Sequence, residues 1–150
     1  MAHSYASLLT HAVFSTKDRA PLIADALRER LFPYLGGIAR RLEVGALTVG
    51  GTADHVHVLL SLPPTRCVAD VLRDLKANSS RWIHETWPDR RAFARQTGYG
   101  AFSVSESNRE GVLRYIREQE RHHRRRTFKE EFLALLERHH IPYDEQYIWA

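Results

Sequence analysis

Two histidines separated by one residue are the first candidates for chemistry in this sequence. His55 and His57 flank Val56, and the run continues with further valine and leucine residues. Such a run predicts a β-strand, and because alternate side chains of a strand point to the same face, the two imidazoles project together. Imidazoles at this spacing could bind one metal ion. The pair alone is a weak signal, because nine of the 150 residues are histidines and such pairs are more often surface or hydrogen-bonded residues.

A tyrosine and a glutamine four residues apart are the second candidates. Tyr115 and Gln119 lie in a segment whose apolar residues recur at helical spacing, namely Val112, Leu113 and Ile116. Residues at i and i+4 are neighbours on one helix face, so Tyr115 and Gln119 should lie side by side. Residues 107–110 are spaced like a capping box, which predicts that the helix begins there. A phenol beside a carboxamide, facing the two histidines, could supply a nucleophile and a third metal ligand, although spacing alone equally fits a core tyrosine and a solvated glutamine.

The order of the two motifs resembles the HUH single-tyrosine transposases of the smallest prokaryotic insertion sequences and their REP-associated relatives. In that family a His-hydrophobic-His strand precedes a helix with Tyr-x-x-x-Gln, and the resemblance extends over nearly the whole chain. It implies that Tyr115 is the nucleophile and that His55, His57 and Gln119 bind a divalent metal. We expect Mg²⁺ or Mn²⁺ to support activity, because Mg²⁺ prefers oxygen ligands whereas imidazole suits Mn²⁺ better.

The resemblance also implies a reaction and a substrate. The reaction is cleavage and rejoining of single-stranded DNA in transposition through a 5′-phosphotyrosine intermediate, in which the tyrosine ester stores the bond that a 3′-hydroxyl later attacks. The substrate is single-stranded DNA with hairpin ends, and the protein is a homodimer in which Tyr115 of one protomer serves the histidines of the other.

Three alternatives stay open at this stage. One is an HUH nickase for plasmid replication, which the lack of a helicase or primase extension disfavours. Another is a domesticated repeat-processing HUH endonuclease. The third is a non-catalytic nucleic-acid-binding module of ferredoxin-like fold that stacks bases on aromatic residues.

The charge of the chain favours a polyanionic partner without proving one. Its formal net charge is +4 and its sequence pI is about 9.5. Candidate DNA-binding residues are the cations on the second long helix and after the tyrosine helix, namely Arg73, Lys76, Arg81, Arg121, Arg124 and Arg125. His122 and His123 are adjacent and cannot easily share one ion, so we interpret them as part of the basic, solvated segment 121–126.

Asp54 directly precedes the histidine pair and has two open interpretations. Its carboxylate could accept a hydrogen bond from an imidazole and orient it. Equally, it could be a turn residue that closes a hairpin.

The length, composition and cysteine content predict a soluble cytoplasmic protein. A chain of 150 residues with 43% hydrophobic content fits one transposase catalytic domain, 1–150. Cys67 is the only cysteine, so no intramolecular disulfide forms, in keeping with a reducing cytoplasm. The first ten residues do not resemble a signal peptide, and no apolar run approaches the ~18 residues needed to span a membrane.

The hydrophobic pattern predicts an α+β fold. The expected order is strand 4–15, helix 21–42, hairpin strands 44–51 and 55–62, helix 68–87, loop 88–98, strand 99–105, the Tyr115 helix and a last helix 128–139. This order predicts a ferredoxin-like (RRM-like) antiparallel sheet with helices on one face and appended C-terminal helices.

Overall fold

The secondary structure follows the predicted β-α-β-β-α-β order and continues into further helices. The computed structural model describes residues 4–90, 92–123 and 125–149. Its strands and helices are β1 (Leu9–Ser15), α1 (Asp25–Arg41), β2 (Gly45–Gly51), β3 (His55–Ser61), α2 (Val68–Thr86), β4 (Gly100–Val104), α3 (Arg109–Arg117), α4 (Gln119–His122), α5 (Phe128–Arg138) and α6 (Glu145–Ile148). None of the described helices is long and apolar enough to cross a membrane.

The four strands form one antiparallel sheet in the order β2-β3-β1-β4. β1 pairs with β3 and with β4, and β2 pairs with β3, so that both histidines lie on a central strand. His57 lies between Val13 of β1 and Gly50 of β2. This topology confirms the predicted ferredoxin-like α+β fold.

The two faces of the sheet are covered by different helices. α1 and α2 pack on one face around a core that includes Phe14, Leu31, Val58, Leu60 and Leu72. α3 and α5 cover the opposite face, where they bury residues such as Leu9, Val13, Leu59, Phe102 and Ile116. Because side chains alternate along β3, its valines face α1 and α2, whereas His55 and His57 face α3 and α5. The appended C-terminal helices therefore enclose the histidines.

Two predicted boundaries near the N-terminus are wrong. β1 begins at Leu9 rather than at residue 4, and the preceding described residues are exposed. α1 begins at Asp25 rather than near Pro21. The amide of Ile23 donates to the carbonyl oxygen of Ala53 at 2.8 Å, which holds the segment before the helix against the β2–β3 turn instead of in a helical turn.

The predicted capping box at residues 107–110 is also wrong. A short 3-10 turn precedes α3, whose N-cap Asn108 makes no side-chain cap, and the Ser107 hydroxyl bonds that of Ser105. A capping box is present instead at the start of α5, where Thr127 Oγ1 accepts from the amide of Glu130 and the Glu130 carboxylate accepts from the amide of Thr127. This cap fixes the start of the helix that carries Glu131.

A glycine allows α3 to approach the sheet closely. A Cβ atom added at Gly50 would lie 2.1 Å from the carbonyl oxygen of Ile116, which is far inside van der Waals contact. Gly50 is the cross-strand partner of His57, and Ile116 directly follows Tyr115. The missing side chain therefore permits the contact that brings the tyrosine beside the histidine strand.

Candidate active site

Each histidine of the predicted pair is buried and is held through its Nδ1 atom. Both side chains have 0% exposure. His55 Nδ1 lies 2.7 Å from Asp54 Oδ1, and His57 Nδ1 lies 2.7 Å from Nε2 of His11. These contacts leave both Nε2 atoms directed at the same point between the helices. Asp54 also accepts from Thr52 in the hairpin turn, so it combines the two interpretations given above.

The Nε2 atoms belong to a cluster of potential metal ligands. One potential ligand atom from each of His55, His57, His123 and Glu131 lies within 4.8 Å of all the others. Glu131 Oε1 is 2.9 Å from His57, 3.1 Å from His123 and 3.6 Å from His55. Gln119 Oε1 lies 3.0 Å from His55 Nε2, so the structure brings the three predicted ligands together.

The donor atoms of this cluster and their distances from Glu131 fit a divalent metal ion. Ligand atoms about 2.1 Å from one ion lie about 3.0 to 3.4 Å from each other in octahedral or tetrahedral geometry. The distances of 2.9 to 3.6 Å from Glu131 Oε1 to the imidazoles are close to that range. Imidazole nitrogens combined with carboxylate and amide oxygens suit a metal of intermediate softness such as Mn²⁺.

The sequence interpretation of His123 as part of a solvated basic segment is wrong. Its side chain is only 10% exposed and contacts Glu131. His123 follows Gln119 by four residues, and its amide donates to the carbonyl oxygen of Gln119 across one helical turn. The i,i+4 spacing that links Tyr115 to Gln119 therefore continues to His123, and this signal was available in the sequence.

Glu131 was not identified from the sequence. The only signal is its position on the amphipathic helix α5, where Phe128 and Leu135, three residues before it and four after it, are both buried. An acidic residue in the buried stripe of a helix is unusual unless it has polar partners. Glu131 is 1% exposed and its partners are the histidine cluster and the tyrosine.

Tyr115 directs its hydroxyl to the cluster. It donates a hydrogen bond to Glu131 Oε2, its ring meets the ring of His57 edge-on at 5.9 Å, and His122 stacks on it at 4.8 Å. The turn at Glu118 separates α3 from α4, so Tyr115 and Gln119 occupy consecutive helices rather than one continuous helix. Both side chains nevertheless face the same site, within one chain.

Burial and hydrogen bonding determine the protonation of these groups. Burial, together with the negative charge of Glu131, raises the pKa of Tyr115, so the phenol keeps its proton. Burial alone would raise the pKa of Glu131, but hydrogen bonds from His123, His57 and Tyr115 outweigh it and hold that pKa well below its usual range. Burial lowers the pKa of His57 to about 4, so its imidazole is neutral at pH 7 and able to bind a metal.

The predicted DNA-binding residues of α2 already have partners in the chain. Arg73 pairs with Asp70 at 3.3 Å and lies near Asp74. Lys76 donates to the carbonyl oxygens of residues 96 and 98 and so holds the loop before β4. Arg81 donates to the side chain of Asn78 one turn earlier.

The cations after the tyrosine helix lie nearer the candidate site. Arg125 is exposed and lines an open depression of about 530 Å³ together with Asp54, His123 and Thr127. Arg121 is exposed and lies 3.8 Å from Glu118. Arg124 lies outside the described residues. DNA binding by these cations and by those of α2 remains a prediction.

The fold and the site together define a class of protein. A ferredoxin-like sheet that presents a His-x-His pair to a tyrosine on a neighbouring helix is the arrangement of HUH-type single-tyrosine enzymes. Residues 4–119 match the family described as "Transposase IS200 like". This match covers more than half of the chain, and the chain therefore belongs to the IS200-like transposase family.

Individual relatives agree with this assignment. The ISDra2 transposase TnpA of Deinococcus radiodurans is 26% identical over 114 residues, which cover 73% of this chain and 81% of that protein. The transposase for insertion sequence element IS200 of Salmonella typhimurium is 29% identical over 89 residues, 59% of each chain.

Two solved structures share the fold. A crystal structure of a Deinococcus radiodurans R1 protein described as a transposase aligns with a TM-score of 0.63 and 24% identity, covering 77% of this chain and 94% of that chain. A REP-associated tyrosine transposase bound to a REP hairpin aligns with a TM-score of 0.57 and 12% identity, covering 77% and 68%. The family match ends at Gln119, so His123 and Glu131 lie beyond the matched residues.

Proposed function

We propose that this protein is a divalent-metal-dependent transposase that cleaves and rejoins single-stranded DNA through a 5′-phosphotyrosine at Tyr115. The observation that carries the proposal is the bridging position of Glu131, which contacts the tyrosine hydroxyl with one oxygen and the histidine cluster with the other. This arrangement joins a nucleophile to metal ligands in one site.

The metal-binding residues would be His55, His57, His123 and Glu131, with Gln119 beside them. A Mg²⁺ or Mn²⁺ ion held by these residues would supply Lewis-acid stabilisation of the negative charge on the scissile phosphate. The Nδ1 contacts of the two imidazoles, to Asp54 and His11, keep their Nε2 atoms directed into the cluster.

Glu131 is placed to move the proton of the nucleophile. As Tyr115 Oη forms its bond to phosphorus, its proton passes to Glu131 Oε2, and the bond from phosphorus to the 3′-oxygen breaks. The departing 3′-oxygen takes a proton from water, and Glu131 releases its own to solvent. In rejoining, a 3′-hydroxyl gives its proton to water as it attacks phosphorus, the bond from phosphorus to Tyr115 Oη breaks, and Oη takes a proton from Glu131, which has drawn it from solvent.

Single-stranded DNA with hairpin ends is the proposed substrate. The nucleophile is half-buried between α3, α5 and the sheet, where a phosphate in a continuous duplex would have poor access. The REP-associated relative of similar fold was solved with a hairpin, and the net charge of +4 favours a polyanion. Organisation as one catalytic domain, assembly as a homodimer and a cytoplasmic location belong to the same proposal.

Capture of a covalent adduct tests the reaction. Labelled single-stranded oligonucleotides that carry hairpins are incubated with the protein and Mn²⁺, and a denaturing gel reveals protein-linked DNA. Tyr115→Phe removes only the attacking oxygen, so the adduct should disappear while hairpin binding persists. Tyr143→Phe, which alters an exposed tyrosine, is the matched control. An adduct that survives in Tyr115→Phe would refute the assignment of the nucleophile.

The metal and the substrate are tested in the same assay. EDTA should abolish the adduct, and His57→Ala should reduce Mn²⁺ affinity in calorimetry; unchanged affinity would argue against a site at the cluster. Affinity for the hairpin-bearing strand should exceed affinity for the matched duplex and should fall steeply with salt, because phosphate contacts release counterions. Equal affinity for a blunt duplex would point to another substrate.

A further inference from the structure

A cavity of about 380 Å³ adjoins Tyr115 and is also lined by His11, whose imidazole bonds that of His57. It lies between the β1–β4 part of the sheet and helices α3 and α5. Its walls include His11, Phe102, Val112, Tyr115, Leu135 and His139. Its volume is within the roughly 300–1,000 Å³ typical of small-molecule sites. Because Tyr115 is part of both the cavity wall and the cluster, anything bound in the cavity lies beside the attacking group.

The walls of the cavity offer the chemistry that a nucleotide requires. His139 stacks on the buried Phe102, with ring centroids 4.5 Å apart and 30° between the ring planes, and Val112 and Leu135 add apolar surface. The lining also includes three polar residues, Ser103, Asn108 and Arg138, all of which are exposed. Flat aromatic and apolar walls suit a base, whereas an exposed guanidinium suits a phosphate.

The direction of the proposed reaction selects one nucleotide. In an in-line displacement the attacking and leaving oxygens lie on opposite sides of phosphorus. The nucleotide that leaves with the 3′-hydroxyl is therefore on the far side of the phosphate from Tyr115, whereas the nucleotide that keeps the phosphate stays beside the tyrosine. On the basis of the proposed function, we propose that this cavity binds the base of the nucleotide immediately downstream of the cut.

One wall residue of the cavity is a glycine, Gly111, and its replacement by a larger residue should fill the cavity without disturbing the core. Gly111 lies on the exposed side of α3, and a Cβ atom added there meets nothing within 4 Å. Gly111→Leu should place a side chain at the cavity, while the exchange of glycine for leucine favours the helix. Gly37→Leu is the matched control, because Gly37 lies in α1 on the other side of the sheet and is equally open.

The experiment compares oligonucleotides that differ in one base. After the cut has been mapped, rates of adduct formation are measured with the intact oligonucleotide, with an abasic site immediately downstream of the cut and with one immediately upstream. In the wild type and in Gly37→Leu, the downstream abasic site should slow adduct formation roughly tenfold or more, as expected for loss of a stacked base. The upstream abasic site should have a much smaller effect.

Gly111→Leu should form the adduct slowly with every oligonucleotide and should lose the difference between the intact and the downstream abasic strand. Its Mn²⁺ affinity and melting temperature should match those of Gly37→Leu, which separates a blocked cavity from damage to the site. A wild type indifferent to the downstream base, or a Gly111→Leu protein as fast and as selective as the control, would overturn the inference. Absence of an adduct with the intact oligonucleotide would instead overturn the proposed function on which the inference rests.

Discussion

One carboxylate, that of Glu131, contacts the Tyr115 hydroxyl and the histidine cluster with different oxygens. Glu131→Gln keeps the shape of the side chain but removes its charge and most of its capacity to accept a proton. We expect adduct formation to fall on the order of 100-fold or more, as for loss of a general base, while hairpin binding is retained. Glu130→Gln is the control, because residue 130 is exposed and glutamine also serves in a capping box. Equal rates in the two variants would exclude a role for Glu131 in proton transfer.

The buried imidazoles make stability depend on pH. Burial lowers the pKa of His11 to about 3 and that of His57 to about 4, from 6.5 in the unfolded chain. As pH falls below 6.5, these histidines bind protons in the unfolded chain but stay neutral in the folded chain. Their contribution to the unfolding free energy is therefore fully present above pH 6.5 and is lost as pH falls toward 4. The carboxylate of Glu131 has a folded-state pKa well below its usual value of 4.5. It therefore causes a further loss of stability as pH falls below 4.5.

Urea unfolding in EDTA, followed by tryptophan fluorescence from pH 8 to pH 4.5, measures this dependence. The unfolding free energy should decrease by a few kcal/mol, at about 1.4 kcal/mol for each unit of pKa shift. His11→Asn should reduce the decrease, whereas His140→Asn, which removes an exposed imidazole, should leave it unchanged. A free energy that is constant over this interval would show that the imidazoles are not held neutral.

Local spacing explains which site residues could be predicted. The shared face of His55 and His57 follows from strand periodicity, and the proximity of Tyr115 and Gln119 follows from helical periodicity. Glu131 is 16 residues from Tyr115 and reaches it only because α5 packs against the sheet. No short-range pattern encodes that packing, so the acid that joins Tyr115 to the histidine cluster could not be predicted from the sequence.

At the scale of elements, the contact between α3 and β2 positions the tyrosine. Gly50→Ala would place Cβ against the carbonyl oxygen of Ile116, a backbone atom that cannot rotate away. We expect a loss of about 1–3 kcal/mol in unfolding free energy and a displaced α3, with adduct formation reduced more than hairpin binding. Gly37→Ala, at an open position inside α1, should stabilise the protein by up to about 1 kcal/mol. Similar stability and activity in both variants would contradict this account.

Element order was easier to predict than element boundaries. Alternation and helical periodicity, together with the Gly51–Asp54 turn, gave the β-α-β-β-α-β order that the structure confirms. The start of α1 depends on a hydrogen bond from Ile23 to the hairpin turn, which is a tertiary contact. The helix break at Glu118 likewise could not be predicted, because no proline or glycine lies at that position.

At the scale of the molecule, the described residues of the candidate site all come from one chain. Subunit exchange between His57→Ala and Tyr115→Phe proteins tests whether the tyrosine and the histidines of one chain act together in cleavage. Because the Tyr115 hydroxyl bonds Glu131 of its own chain, and α3 fits closely over Gly50, we expect the mixture to remain inactive. Recovered adduct formation would show that dimers assemble the site in trans, as the family resemblance implies. Light scattering and a labelled subunit confirm exchange independently.

The close fit at Gly50 also has a genetic consequence. Every missense change in a glycine codon introduces at least a Cβ atom, so no single-base missense substitution at codon 50 preserves the contact with Ile116. Copies of a mobile element that are no longer under selection accumulate changes at random. Inactivating lesions should therefore be found at codon 50 in copies whose tyrosine and histidine codons are still intact.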